Sequence, residues 1–310
     1  RTPVKIFILV LQSFAKSLNM EYDWKLSKKT LVERNSALYN NPLMSDVTFI
    51  VGREGKEIIH AHKYVLSIGS PVFQVMFYGH FAKVQKSSDN PITIIDIEPQ
   101  SFFTLLKYLY SDVIELHMDH IVSILYASKK YMIQHLTEQC VLFINKNLTP
   151  NNVCALLSNL RIYEDISNTI SLCWDLIDSE SQLAISSESF IEVDHSILTQ
   201  IIFREGLNCT ELEVFKAALN WANARLDPKE VKNEHDKNNL GKKRREILGS
   251  ALDEIRFPLM TIKEFAEEVI PTGILNHDEI IDIFVHLSSP KIKPEIRYSS
   301  NRRKGRSKTE

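Results

Sequence analysis

The sequence predicts an α+β fold, in which a mixed first half is followed by an all-helical second half. Runs of β-branched and aromatic residues, which are typical of strands, occur only before about residue 100. From Ile133 onward these runs almost vanish, while signals that start helices recur. A length of 310 residues also suits about two cores, because single domains usually stop growing near ~100 to 200 residues.

The first predicted element is an amphipathic helix over residues 24–40. Leu31 and Leu38 are two turns apart on such a helix and would share one apolar face. Asn41 and Pro42 end the pattern.

Three strands are predicted after this helix. Residues 47–51 are β-branched or aromatic, and a second apolar stretch at Ile58 and Ile59 follows the turn-forming residues 52–55. This arrangement is typical of a β-hairpin. Residues 92–97 supply the third strand.

Helices alternate with these strands. Ser70 offers an N-cap and Pro71 a first helical residue, and the apolar residues that follow them stop at Gly79. Pro99 opens another helix, and residues 121–131 continue the same apolar spacing. The first half therefore combines a small sheet with several helices.

The second half shows repeated helix starts. Thr210 with Glu213 and Thr261 with Glu264 have the spacing of capping boxes. Residues 227–246 are polar and highly charged, so they predict a loop between helices.

The composition is that of an ordinary globular protein, with 44% hydrophobic and 25% charged residues. The 37 Lys and Arg against 39 Asp and Glu give no general field for nucleic acid or anionic lipid. The four cysteines lie far apart without metal-ligand spacing, so we expect reduced thiols in the cytoplasm: Cys140, Cys154, Cys173 and Cys209.

The first 22 residues are expected to be a leader outside the folded domains. The apolar run from Ile6 to Leu11 is far shorter than the ~20 residues of a membrane span, so we predict no membrane partner. A signal peptide and a gene-model extension with Met20 as the start both remain open.

No pattern of catalytic residues is present in the sequence. It has no phosphate-binding loop, no hydrolase nucleophile elbow and no zinc-protease motif. His60 and His62 alternate in a strand-like stretch and could share one face, as two metal ligands do. Because no cysteine or third histidine accompanies them, a structural role is favoured. We expect no enzyme, no metal and no cofactor.

Four ordered motifs in the first half resemble the BTB (POZ) domain family. They read SDVTFIVG, HAHKYVLS, SPVFQVMFYG and LKYLYS, at residues 45–52, 60–67, 70–79 and 106–111. Three motifs in the second half resemble the BACK domain. They read NNVCALL, FKAALNWA and IRFPLMTIKEFA, at residues 151–157, 215–222 and 255–266.

The chain is thus similar to BTB–BACK adaptors, and most of all to the subgroup that carries a C-terminal PHR domain, of which no PHR domain is seen here. The resemblance implies a BTB domain over residues 23–146, and a helix pair called the 3-box with the BACK domain over 147–287. A basic tail, or a linker toward a PHR domain, is expected over 288–310.

Family resemblance also implies partners. It implies a homodimer through the BTB domain and, with the 3-box, binding to cullin-3, so that the chain acts as a substrate adaptor of a ubiquitin ligase. The implied dimer interface includes an opposite-charge pair and comprises Leu31, Leu38, Asp46, His62 and Lys63. The implied cullin-binding residues are Phe73, Met76, Phe77, Phe81, Lys83, Tyr108 and Tyr110.

One position departs from the family pattern. The cullin-binding signature is a hydrophobic residue, any residue and a glutamate, and here it reads Phe81, Ala82 and Lys83. The departure predicts weakened cullin binding. It keeps open an alternative function as a cullin-independent scaffold or transcription-linked regulator. The substrate protein cannot be named from the sequence.

Two basic clusters, at residues 242–245 and 302–308, fit nuclear-import signals. The first also fits the solvent-facing side of a helix, because apolar residues at helical spacing follow it. The second also fits a linker. We predict a cytoplasmic location, with a nuclear one left open.

Overall fold

The computed structural model describes residues 27–54, 56–79, 91–227, 237–289 and 296–305. The chain divides into two compact units, Arg1–Ile144 and Asn145–Glu310, called here the first and second unit. Within the described ranges, no helix combines the length and the apolar character that crossing a bilayer requires.

The first unit mixes strands and helices, which confirms the α+β prediction. Its described strands are β1 (Val47–Val51), β2 (Glu57–Ala61) and β3 (Ile92–Ile94). Its described α-helices are α1 (Leu31–Ser36), α2 (Lys63–Gly69), α3 (Pro71–Tyr78), α4 (Pro99–Ser111), α5 (Ile121–Lys130) and α6 (Gln134–Lys146), the last of which runs two residues past the division between the units.

The three strands form one sheet with β1 in the centre. Strand β1 pairs antiparallel with β2 and parallel with β3, so that Phe49 lies opposite both Ile59 and Ile92. The Phe49 ring is fully buried and packs edge-on against Phe102, with ring centroids 5.2 Å apart. The predicted hairpin is confirmed, while the third strand is shorter than predicted.

Helix α3 starts and stops where the sequence predicts. The Ser70 hydroxyl accepts a bond from the Phe73 amide at 3.2 Å and donates to the Tyr131 carbonyl at 2.6 Å. Its proline occupies the first turn. A Cβ at Gly79 would lie 2.4 Å from the Val75 carbonyl oxygen, so only glycine fits at this helix end.

The first helix is shorter than predicted. Helix α1 begins after Thr30, whose hydroxyl accepts from the Glu33 amide in a capping box. Its regular hydrogen bonds end at Ser36, and Leu38 follows in a tighter turn, with its amide bonded to the Asn35 carbonyl. Residues 24–26 lie outside the described residues.

In the described residues of the second unit all regular elements are helical, as predicted. Its α-helices are α7 (Val153–Leu160), α8 (Ser167–Ser179), α9 (Ser181–Ser186), α10 (Glu188–Ile191), α11 (His195–Phe203), α12 (Glu211–Asn223), α13 (Lys237–Leu248), α14 (Ile262–Glu264) and α15 (His277–Ser288). The capping boxes at Thr210 and Thr261 are confirmed.

Helix α12 joins the core of this unit through Trp221. The indole nitrogen donates to the Val193 carbonyl at 2.8 Å, and the Arg225 guanidinium lies 3.6 Å from the centre of the indole ring. The aromatic face and the cation attract each other, and the buried N–H has a partner.

The loop prediction for residues 227–246 is wrong from Lys237 onward, where α13 begins. Tertiary contacts explain this helix, since its sequence is almost entirely polar. A Cβ at Gly241 would lie 2.1 Å from the Gly273 carbonyl oxygen, so the two backbones approach closely. Arg245 pairs with Glu279 through two bonds of 2.7 Å. Residues 228–236 lie outside the described residues.

The Arg245–Glu279 pair makes the second unit sensitive to acid. Burial alone would raise the pKa of Glu279, but bonds from Arg245 and from the Asn276 amide hold it below its ordinary value of 4.5. A lowered pKa stabilises the fold above the ordinary value, and this stability is lost as the pH falls through the folded pKa. We expect Glu279→Gln to flatten the fall in unfolding free energy below about pH 4.5. Parallel urea-unfolding curves for both proteins across that range would contradict this.

The tail prediction for residues 288–310 is wrong for 296–305. Tyr298 is buried in the core of the second unit, and the Arg303 side chain is 4% exposed. The sequence lacks apolar periodicity here because the segment attaches through two single side chains and not through a helical face. Residues 290–295 and 306–310 lie outside the described residues.

Candidate protein-interaction surfaces

His62 fastens the start of α2 to two other segments. One imidazole nitrogen lies 2.7 Å from the Tyr110 hydroxyl, and the other lies 2.8 Å from the Leu43 carbonyl oxygen. The His62 amide donates to the same hydroxyl at 2.8 Å. Both ring nitrogens are therefore engaged within the first unit, which supports the structural interpretation of this histidine.

The predicted opposite-charge pair takes a different form in the single chain. The Asp46 carboxylate is exposed and accepts a 2.7 Å bond from the backbone amide of Lys63, at the start of α2. A carboxylate at a helix N-terminus satisfies a free N–H and suits the helix dipole. None of the ion pairs found among the described residues joins these two side chains. Their place in a dimer interface stays a prediction.

The two leucines of the first helix have different environments. Leu31 is 65% exposed and its neighbour Val32 is also exposed, whereas Leu38 is only 8% exposed. The shared face predicted for Leu31 and Leu38 is wrong, because the helix ends before Leu38 and the chain then turns inward. Leu31 remains available to a partner, while Leu38 belongs to the core.

Helix α3 has apolar residues on more than one side. Phe73 has no exposed surface, because its ring stacks on Tyr131 at 4.2 Å, so direct contact with a partner is excluded in this conformation. Met76 and Phe77 are half-buried. Val75 and Tyr78, one turn apart, are exposed and were missed as candidate contacts. An almost wholly apolar octet signals this, since one face of a helix cannot bury every position.

Tyr110 is also corrected to a structural role. It is 2% exposed, and its hydroxyl is engaged with His62. Tyr108, on the same helix, is half-buried with its ring 6.3 Å from that of His135, so part of it remains reachable. Phe81 and Lys83 lie outside the described residues.

A second exposed apolar pair lies on α2. Tyr64 and Ile68 are four residues apart, and each is more than half exposed. Residues at this spacing are neighbours on one helix face, so the pair forms a continuous apolar strip. Such strips are typical of protein contact sites when they are grouped.

The described residues offer little for catalysis or metal binding. No three His, Cys, Asp or Glu side chains among them are grouped so that they could hold a metal ion. Burial raises the pKa of Cys140 and of Cys154 to about 12 each, so both thiols stay protonated at neutral pH. Protonated, buried thiols are poor nucleophiles.

The family comparisons match both units. Residues 35–148 match the family described as BTB/POZ domain, and residues 163–269 match the family described as BTB And C-terminal Kelch, or BACK.

Named relatives cover almost the whole chain. BTB/POZ domain-containing protein 6-B of Danio rerio is 41% identical over 91% of this chain and 56% of its own length. BTB/POZ domain-containing protein 3 of Homo sapiens is 39% identical over 91% of this chain and 52% of its own length. BTB/POZ domain-containing protein 6 of Xenopus laevis is 42% identical over 91% and 51%. The chain therefore spans about half the length of the curated relatives it matches.

Proposed function

We propose, because the chain belongs to the proteins that join a BTB/POZ domain to a BACK domain, that it is a dimeric substrate adaptor of a cullin-3 ubiquitin ligase. It acts without catalytic chemistry of its own, by holding a target protein near the ligase. Raising the local concentration of one reactant beside another accelerates their reaction without any new chemical group. Its place of action is the cytoplasm, with a nuclear one left open.

One observation carries this proposal: α3 presents apolar side chains outward from a BTB fold that is otherwise well packed. Val75 and Tyr78 are 59% and 62% exposed, and Met76 and Phe77 are half-buried beside them. Interface energy is usually concentrated in a few aromatic and large apolar residues. Phe81, three residues after Tyr78, adds a further candidate anchor from the sequence.

Co-purification tests the proposal in cells. We expect endogenous cullin-3 to be recovered with the tagged full chain and to be lost when Tyr78 and Val75 are both changed to Ser. The matched control is Ile162→Ser in the BACK unit, at a side chain that is 69% exposed. Recovery of cullin-3 with all three proteins would contradict the role of α3. Its absence from the unmodified chain would contradict the adaptor function.

The alternative function is a BTB scaffold that dimerises without engaging cullin-3. It is favoured by Lys83, which replaces the acidic residue of the family's cullin-binding signature. The same affinity purification separates the two, since a scaffold retains its other partners while cullin-3 is absent. Mass spectrometry with and without proteasome inhibition would then identify the substrate.

Lys83 is predicted to weaken cullin-3 binding. Charge-assisted hydrogen bonds contribute about 1.5 to 3 kcal/mol, so Lys83→Glu should tighten binding by about ten-fold or more. Phe81→Ala should weaken it sharply through the lost apolar contact. Surface plasmon resonance with the cullin-3 N-terminal domain measures both effects, with Lys263→Glu in the BACK unit as the charge-matched control. Equal affinities of the unmodified chain and Lys83→Glu would place this residue outside the contact.

The chain is predicted to form a homodimer through α1. Leu31→Asp should produce a folded monomer, because the side chain is 65% exposed and the change costs the single chain little, whereas a buried charge at an interface is costly. Multi-angle light scattering at micromolar concentration provides the measurement. Ile162→Asp is the control that should leave the dimer intact. A monomeric unmodified chain would refute the prediction.

A further inference from the structure

We propose that the BACK unit contains a binding site for a peptide with a tyrosine and, five residues later, an arginine. Its resident ligand is the chain's own residues 296–305, called here the strap. This inference does not depend on cullin-3 binding.

Arg303 is the first anchor of the strap. Its guanidinium presents five N–H donors in a fixed fork, and each of them has an acceptor. Two N–H groups meet the Glu211 carboxylate, at 2.6 and 3.1 Å. The other three meet carbonyl oxygens at 2.5, 2.8 and 3.3 Å, and these belong to Ile202, Arg204 and Glu254. A lysine, with three donors on one atom, could not satisfy this set.

Glu211 makes the site selective for such a cation. Its side chain is 7% exposed, and besides Arg303 it accepts a 3.1 Å bond from the backbone amide of Arg256. A buried carboxylate without a cationic partner costs several kcal/mol in a protein interior. Because of this cost, the site favours an occupant that brings a guanidinium over one that does not.

Tyr298 is the second anchor. Its ring meets Phe257 edge-on, with centroids 4.9 Å apart and planes at 84°. Its hydroxyl donates to the Glu279 carboxylate at 3.2 Å. A large aromatic body with a polar tip suits a pocket that is apolar at the side and charged at its end.

Main-chain bonds hold the strap between and beyond these anchors. Arg256 donates to the Asn301 carbonyl at 2.8 Å, and the Gly305 amide donates to the Glu205 carbonyl at 3.2 Å. Arg256 is itself held by the Glu205 carboxylate at 2.5 Å. Backbone bonds of this kind fix the direction and register of a bound peptide without reading its sequence.

The residues between the anchors are exposed, namely Ser299, Ser300, Asn301 and Arg302. Only two of the six side chains from Tyr298 to Arg303 therefore enter the BACK unit. Buried anchors separated by exposed residues are characteristic of peptide recognition, in which a few side chains carry the affinity. Arg302 has the same chemistry as Arg303 without the burial, which makes it a matched control.

Peptide binding to the full chain tests the proposal. A fluorescent peptide of residues 296–305 is titrated into the unmodified chain, the Arg302→Ala chain and a Tyr298→Ala, Arg303→Ala double variant. We expect it to bind the double variant and to bind the first two at least about ten-fold more weakly, since their tethered strap competes at high effective concentration. A peptide carrying Arg303→Ala should bind the double variant about ten-fold or more weakly than the natural peptide.

Three results would overturn the proposal. One is equal binding of both peptides to the double variant, and another is no binding to a double variant that circular dichroism shows to be folded. If the double variant is unfolded when purified alone, the natural peptide added during refolding should restore its helical signal, and failure to do so is the third. Displacement of the strap by the same motif from a second copy would appear as peptide-sensitive dimers in light scattering.

Discussion

Phe73→Ala is expected to destabilise the BTB unit by about 3–5 kcal/mol, the cost typical of removing a buried aromatic ring. The Phe73 ring has no exposed surface and stacks between Tyr131 at 4.2 Å and Phe77 at 5.8 Å. It also meets Phe49 of the central strand edge-on at 6.0 Å. Its removal leaves a cavity at the point where α3 joins the sheet.

Chemical unfolding followed by tryptophan-independent circular dichroism measures this loss. The matched control is Val75→Ala, on the same helix with a side chain that is 59% exposed, which should change stability by less than about 0.5 kcal/mol. Because Phe73 supports α3 from inside, its variant should also lose cullin-3 binding indirectly. A Phe73→Ala protein as stable as Val75→Ala would show that the ring is not the core element described here.

Glu211→Gln is expected to destabilise the BACK unit by about 3–5 kcal/mol, as breaking one side of a buried ion pair usually does. Glutamine keeps the shape and can still accept one bond, but it leaves the Arg303 charge buried without a counter-charge. The side chains of Arg303 and Glu211 are 4% and 7% exposed, so water cannot replace the lost partner.

The control for this change is Glu268→Gln. Glu268 pairs with Lys216 at 2.9 Å, but both side chains are nearly half exposed. Exposed pairs contribute between about 0 and 1 kcal/mol, because water screens them. Similar unfolding free energies for Glu211→Gln and Glu268→Gln would refute the buried pair as a stabilising element.

Local signals in the sequence predicted most of the fold. The β-branched run of β1, the Ser70 and Pro71 start of α3, and the capping boxes at Thr210 and Thr261 are each determined by neighbouring residues. Such elements need little information from elsewhere in the chain. The prediction of a mixed first half and a helical second half followed from them.

Elements held by distant residues were not predicted. Helix α13 depends on the close approach of Gly241 to Gly273 and on Glu279, and the strap depends on Glu211, which is 92 residues from Arg303. A basic side chain in a polar segment has the same local pattern whether it is exposed or buried. The spacing of Arg302 and Arg303 therefore could not reveal that only the second enters the core.

The candidate site was predicted in part. The sequence indicated an apolar α3, but which of its side chains face outward depends on the position of Tyr131 and Phe49 beside Phe73. Leu38 was assigned to a shared helix face because periodicity does not show where a helix stops. The roles of the exposed residues in binding partners remain proposals.

The most direct test of the adaptor function is a calorimetric titration of the unmodified full chain with the cullin-3 N-terminal domain. The account predicts saturable binding of one cullin domain for each BTB unit, and a clear loss of affinity when Val75 and Tyr78 are changed to Ser. Absence of binding by a chain that light scattering shows to be folded and dimeric would contradict it, and would favour the cullin-independent scaffold.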